Sequence, residues 1–497
     1  MSRPRLIVTG AAGFLGRRLI ESLAASWDVE ALDRREPTFG TPVAADTVRW
    51  HRVDVANSAE LLPLLARLRA AGPIAACLHL AAHYDFTGER HPEYQRTNVG
   101  GTRLLLEACR ELALERFVFA SSVAACDFPR RGAVLDEASP PDGRHVYAES
   151  KRAGEEIMRR EAGVPTAIVR FAALYSDWCE YFPLYRFLDT WLSCRWDRRM
   201  LGGRGESAVP FLHVRDACRA LGRVLDLRAE LKPAEVVLIS PNEVVSHEQL
   251  FRAAAAWNAA VARAPFHVPM PLAACGIVAR DLLGRALGRR PFERPWMIGM
   301  IDRQLRVDAT RSQARLDWAP RESLRILRRM PFLLENRRSR HWLWTVHNEA
   351  RLPGAEPPLE YRVLALLERH EDEIFTHLTS TLVSGRIHLA HDVVVELFRG
   401  LSEAVQYQDR VGFRSRCREL ARKRALSGAP QGELVEVLQD LERTGLAVVL
   451  REGRSVGPAA AVRAVLAGAI EFALDGVAAG YEEVGQDAEA SAGRRAW

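Results

Sequence analysis

The sequence predicts an α/β fold, a doubly wound parallel sheet with a small substrate-binding subdomain, followed by an all-α domain. Three observations carry this. Short β-rich apolar runs alternate with helical patterns from Leu6 to about Val214, which implies a parallel sheet wrapped by helices. A glycine-rich turn joins the first such run to the first helical pattern. Beyond Pro358 every periodic segment has helical spacing.

Leu6–Thr9, Val29–Asp33, Cys77–Ala81, Arg116–Ser121 and Ala167–Phe171 read as strands, with helical stretches such as Arg17–Ser26 and Arg103–Leu112 between them. From about Val214 to Phe332 helices and loops dominate, with isolated strand-like pieces at Val236–Ile239 and Leu305–Val307. Glu335–Arg340 is polar and basic, and Arg351–Pro358 has the composition of a linker. In the last third, Val394, Phe398, Leu401 and Val405 share one helical face. Leu434, Val437, Leu438 and Leu441 repeat that spacing, as do Val462, Val465, Leu466 and Ala469. The expected domains are 1–335, with 172–335 contributing a cap, a linker at 336–358, a helical bundle at 359–481 and a polar tail at 482–497.

The 497 residues, 48% hydrophobic and 27% charged, are those of a multi-domain globular protein. The net charge of +6 comes from scattered arginines. No zinc-finger spacing or aromatic RNA-binding signature accompanies it, so no nucleic acid is expected. None of the 8 cysteines forms a Cys-x-x-Cys pair; reduced thiols in a cytoplasmic protein are expected, with no metal site. No run of about 18 apolar residues exists to span a membrane. Pro269–Leu287, interrupted by Arg280, Asp281 and Arg285, reads either as a helix covering a substrate pocket or as a basic amphipathic helix on a membrane surface.

The turn is Gly10-Ala11-Ala12-Gly13-Phe14-Leu15-Gly16, placed between strand and helix. Glycines let the backbone approach a pyrophosphate, whose charge meets N–H groups and the positive end of the helix. Asp33 ends the next strand at about the 20-residue separation expected for a ribose contact. It favours NAD, because a carboxylate repels a 2′-phosphate. Arg34 and Arg35 pull towards NADP, which stands as the second option.

Tyr147 and Lys151 are four apart at the head of a helical segment, so they share a face. A nearby ammonium favours the phenolate and makes the tyrosine a usable acid/base. Ser122 ends a strand at the edge where open sheets bind ligands; its hydroxyl would hold the substrate oxygen. Trp178, Tyr181, Phe182, Tyr185, Phe187, Trp191 and Trp196 would bind a lipophilic ring substrate or pack the cap onto the sheet. Arg195, Arg198, Arg199 and Arg204 would clamp a diphosphate or form a solvated face.

Over roughly residues 5–320 the chain resembles the extended short-chain dehydrogenases/reductases, the NAD-dependent epimerase/dehydratase group. The matching pieces are Thr9–Gly16, Val53-Asp54-Val55, Leu80-Ala81-Ala82, Asn98–Thr102, Phe119–Ser122, Tyr147–Lys151, Val169-Arg170, Phe211–Asp216 and Arg315–Pro320. The resemblance implies a Rossmann-type domain in which Asp54 meets the adenine and Leu80–Ala82 line the cofactor. It also implies that Ser122, Tyr147 and Lys151 form the catalytic triad and that Asn98 orders the site. Cys126-Asp127 and Tyr175-Ser176 stand where relatives commonly have Tyr-Gly, which bears on substrate shape. Sugar-nucleotide 4,6-dehydratases of this group carry Asp-Glu after the hydroxyl residue; Val123-Ala124 here imply that this reaction is not the one.

The expectation is an NAD(P)-dependent oxidoreductase or epimerase acting on a nucleotide sugar or lipophilic ring alcohol. The alternative is a cofactor-sensing regulator signalling through the bundle. A homo-oligomer is expected, with a protein partner for the helical domain. His370, His377, His388 and His391 are read as surface or helix-end histidines.

Overall fold

A computed structural model describes residues 3–35, 47–161, 163–193, 196–258, 264–288, 290–339, 344–345, 348, 359–383, 391–407, 409–451 and 458–495. The chain divides into two compact units, Met1–Arg338 and Ser339–Trp497.

The first unit is built on β1 (Arg5–Thr9), β2 (Asp28–Asp33), β3 (Val48–Arg52), β4 (Ala76–His79), β5 (Arg116–Ser122), β6 (Thr166–Phe171) and, after four short strands, β11 (Glu235–Ile239). Those four are β7 (Ala173–Tyr175), β8 (Met200–Gly202), β9 (Ala208–Val209) and β10 (Phe211–His213); β12 (Val245–Ser246) and β13 (Phe266–Val268) follow β11. The seven long strands are all parallel, in the order β11-β6-β5-β4-β1-β2-β3. Strands buried on both faces need apolar residues at every position. In β1, Leu6 and Val8 point into one core while Ile7 points into the other, as the two-residue period requires. β5 does the same, with Val118 on one side and Phe117 and Phe119 on the other.

Helices α1 (Phe14–Leu23) and α6 (Val214–Asp226) cover the first face. Helices α2 (Ser58–Ala70), α3 (Thr102–Cys109) and α4 (Val146–Arg160) cover the second. Strand order reverses between β1 and β4, the switch point at which such sheets open a crevice for ligands. Val236–Ile239, expected as an isolated piece, is β11 and completes the sheet beside β6. Leu305–Val307 is no strand; Val307 makes only an isolated bridge to Leu135. The strand expected to run to Ala81 stops at His79, which frees Leu80–Ala82 to turn over the sheet edge. The cap comprises α5 (Phe182–Trp191), α7 (His247–Asn258), α8 (Met270–Ala286) and the short strands; α9 (Thr310–Leu316) and α10 (Ile326–Ser339) follow it.

Among the described residues the elements of the second unit are helices: α11 (Leu359–Arg369), α12 (Glu371–Val383), α13 (His391–Tyr407), α14 (Arg410–Leu426), α15 (Gln431–Arg451) and α16 (Ala459–Arg495). Its core takes in Val394, Phe398, Leu401, Val405, Leu434, Leu438, Leu441 and Leu466, the stripes that the periodicity marks. The polar segment after residue 482 is a continuation of α16 to Arg495. Among the described residues no helix is long and apolar enough to cross a membrane, and no cluster of metal-ligating side chains occurs. His388 lies outside those residues, as does the side chain of His391.

Candidate functional site

The glycine turn leaves β1 with Gly10 at a φ of +67°. A Cβ on Gly10 would sit 2.7 Å from the Ala81 nitrogen, and one on Gly16 would sit 2.4 Å from the Gly10 carbonyl oxygen. No other residue fits either place. Gly13 caps α1, so Phe14 and Leu15 open the helix at its positive end, beside the turn. This is a cradle a phosphate can enter, and the donor chemistry fits a dinucleotide.

Asp33 is buried beside the turn. Its Oδ2 accepts from the Ala12 N–H at 3.0 Å and its Oδ1 from the Arg35 N–H at 2.9 Å. Each oxygen keeps lone-pair capacity for a ribose hydroxyl. Arg34 is drawn away to Glu93 at 3.3 Å. Asp54 accepts from the Ala56 N–H and pairs with Arg96 at 2.8 Å, while Val55 is buried beneath Gly101.

Asn98 lies on a π-helical segment, Tyr94–Gly101, a local geometry frequent at functional sites. Its side-chain oxygen accepts from the His83 N–H at 2.6 Å, and its amide donates to the His83 carbonyl and to Ser150. It thereby ties the loop after β4 to α4. Beneath it runs a buried relay that no sequence pattern announces. Thr102 Oγ1 donates to the Asn98 carbonyl at 2.6 Å, so His79 Nε2 must donate to Thr102 at 2.9 Å. His79 Nδ1 then accepts from Thr9 Oγ1 at 2.7 Å, and Thr9 accepts from the Ala81 N–H at 3.3 Å. Burial, with the Lys151 charge adding, lowers the His79 pKa to about 3, so the ring is neutral as the relay requires.

Ser122, Tyr147 and Lys151 come together at the carboxyl edge of β5. The Ser122 hydroxyl oxygen accepts from the Ala124 N–H at 3.1 Å and is hydrogen-bonded to Tyr147. The Lys151 ammonium lies 5.7 Å from the centre of the Tyr147 ring and donates to the Ala120 carbonyl at 2.7 Å. Burial raises the Tyr147 pKa, the Ser122 hydrogen bond opposing it. Burial lowers that of Lys151 to about 8, against the charge of Glu155. The helix carrying both residues starts at His145, whose ring accepts from the Ala148 N–H. It is clamped below by Glu155, which takes a bidentate pair from Arg170 at 2.9 and 2.8 Å and a hydrogen bond from Ser121 at 2.7 Å.

Tyr147 opens on a cavity of about 470 Å³ walled by Tyr84, Phe86, Phe187, Trp191, Phe292 and Trp296 among others. Of the aromatic segment, Tyr181, Phe187, Trp191 and Trp196 line the cavity, whereas Tyr185 is core. Arg198, Arg199 and Arg204 are engaged elsewhere, with the Ser193 and Ala264 carbonyls and with Glu206, and none lines the cavity; Arg195 lies outside the described residues. Cys126 and Tyr175 do not line it either. Tyr175 instead donates to the Leu324 carbonyl in the core.

Fold and glycine cradle define a dinucleotide-binding α/β domain. Residues 6–240 match the model of the NAD dependent epimerase/dehydratase family, and this part of the chain belongs to that family. It is 27% identical over 264 residues to human dTDP-D-glucose 4,6-dehydratase, covering 50% of this chain and 71% of the relative. It is 27% identical over 180 residues to the 3 beta-hydroxysteroid dehydrogenase/Delta 5→4-isomerase of vaccinia virus strain Copenhagen, covering 34% and 49%. Among solved structures it resembles UDP-glucose 4-epimerase of Thermus thermophilus in complex with NAD, at TM-score 0.50, 20% identity, and 67% and 99% of the two chains. The dTDP-glucose 4,6-dehydratase of Bacillus anthracis strain Ames in complex with NAD gives 0.51, 17%, and 68% and 99%.

Proposed function

We propose that the chain is an NAD-dependent oxidoreductase interconverting a secondary alcohol and a ketone on a lipophilic ring substrate. The observation that carries this reading is the aromatic cavity onto which Tyr147 opens. Ser122 holds the substrate oxygen. Tyr147, kept protonated at neutral pH by burial, gives its proton to a carbonyl or recovers it from an alcohol. Lys151 stabilises the phenolate left behind. A bound nicotinamide supplies hydride acceptance or donation. Asp33 beside the glycine turn, and Arg34 turned towards Glu93, support NAD over NADP.

Among the described residues the wall holds two arginines, and both face carboxylates: Arg280 lies 3.7 Å from Asp197 and Arg303 3.6 Å from Asp127. A sugar diphosphate would have to compete for them, which favours the uncharged substrate. Dehydration of a sugar needs an acid beside the hydroxyl residue. Val123 is buried among Leu238, Leu305 and Val307 and Ala124 offers only a methyl group, so neither supplies that acid; dTDP-D-glucose 4,6-dehydratase is nonetheless among the relatives, and dehydration of a sugar stays the competing reaction that the screen must read.

The test is a turnover screen with NAD over hydroxysteroid-like alcohols and nucleotide sugars. Tyr147→Phe is expected to lower turnover by about 10²–10⁴-fold, the usual worth of a positioned acid/base, with NAD affinity intact. Unchanged turnover in that variant would remove Tyr147 from the reaction. Turnover of nucleotide sugars alone would replace the lipophilic substrate with a sugar.

A further inference from the structure

Helix α8 is built inside out. Its buried residues are Asp281 and Gly284, and Asp281 accepts from Arg285, Arg290 and Arg294. That cluster pins the helix to the cap by its charged side. The opposite face carries Leu272, Cys275, Ala279, Leu282, Leu283 and Leu287 at helical spacing, all of them exposed, Leu272 at 64% and Leu287 at 68%. Water disfavours such a contiguous stripe of leucine, and a monomer in solution rarely shows one.

The stripe runs into the mouth of the aromatic cavity, which Leu272 and Gly276 line together with Trp196, itself 81% exposed. Arg280, which lies 3.7 Å from Asp197, and Arg285 edge it, both about half exposed at the side chain; Arg285 shares the single carboxylate of Asp281 with Arg290 and Arg294, so the edge keeps a net positive charge. Between Phe266 and Trp296 the sequence has five arginines against Asp281 and Glu293. At 17 residues the helix is about 26 Å long, and its charges bar it from spanning. An apolar face edged by arginines is instead the pattern of a helix lying at the boundary of headgroups and acyl chains.

We propose that α8 docks the N-terminal unit on a bilayer surface bearing anionic lipid, so that the cavity mouth meets the acyl layer. The passage of substrate from that layer rests on the lipophilic-substrate reading; the docking itself is measured without turnover. A second copy of the chain would match leucine with leucine but would also set arginine edges against each other, whereas lipid phosphates answer both features.

Cys275 provides a probe, because the other described cysteines are buried. The full chain, labelled there with an environment-sensitive dye, is mixed with vesicles of phosphatidylcholine or of equimolar phosphatidylcholine and phosphatidylglycerol. A blue shift and co-sedimentation are expected with the anionic vesicles and should weaken with salt. The double variant Leu282→Glu, Leu287→Glu should lower partitioning at least about tenfold while NAD titration, the check on folding, stays unchanged. The proposal is overturned if the native chain ignores anionic vesicles, or if the variant binds them equally well. It also fails if the native chain is a dimer that the variant splits without either form binding vesicles, which would make the face a self-association surface. Vesicle binding without turnover of lipophilic alcohols would leave the docking standing and remove the functional reading alone.

Discussion

Glu155 and Arg170 are both almost completely buried and face each other through two hydrogen bonds under α4. A buried pair adds little net stability when whole, but losing one partner strands a charge in low dielectric. Arg170→Met leaves Glu155 only the more exposed Arg159, at 2.9 Å, as a counter-charge, and should cost up to about 3–5 kcal/mol in urea unfolding; a loss below about 1 kcal/mol would show that Arg159 and solvent suffice. Protons test a second set of buried residues. Burial lowers the pKa of His79 to about 3 and that of His247 to about 4, from an ordinary 6.5. Folded, both rings stay neutral while the unfolded chain takes up protons below about 6.5, so their contribution is complete above that pH and is lost as pH falls. Each ring should cost about 2 kcal/mol between pH 6.5 and 5. The thermal midpoint should drop over that window, and a flat profile would contradict the assignment of neutral, buried rings.

Among the elements, the strand–turn–helix from β1 to α1 is the most exacting. Gly16→Ala would press a methyl group onto the Gly10 carbonyl, so dinucleotide binding should fall by at least tenfold, about 1.4 kcal/mol, in a fluorescence titration. Retained affinity would mean the cradle is not the binding place. This element was legible in the sequence because glycines between a strand and a helix have few other physical meanings, and Ser122, Tyr147 and Lys151 were legible by their phase with it. The His79–Thr102 relay was not legible. Its members lie 23 residues apart, and no local pattern marks a histidine whose role is to be neutral. The edge strand β11 was misjudged for a related reason, since a short apolar run does not disclose which strand it will pair with. Of the departures at Cys126 and Tyr175, the first lies on a loop whose Ala124 and Phe128 line the cavity, whereas Tyr175 turns into the core.

At the scale of the whole molecule, the cores on the two faces of the sheet are closed separately from the core of the helices α11–α16. A chain cut after residue 338 is expected to keep NAD affinity and turnover within about twofold, less than RT ln 2 or roughly 0.4 kcal/mol. Loss of both on truncation would show that the helical unit completes the site. The helical periodicity of the last third was plain from sequence, whereas what those helices bind was not, because a bundle's packing stripe carries no chemistry of its own.

The relay through His79 also has a direction. Each hydroxyl in it owns one proton, and the Asn98 carbonyl at one end and the Ala81 N–H at the other are fixed as acceptor and donor. Only one arrangement of protons satisfies all four bonds, so the imidazole is held as a single tautomer with its proton on Nε2. In ¹⁵N-resolved NMR that proton should give one slowly exchanging resonance. Because the relay joins the Ala81 turn above the glycine cradle to the π-helical segment bearing Asn98, the shift of that resonance would report the arrival of a dinucleotide from inside the protein.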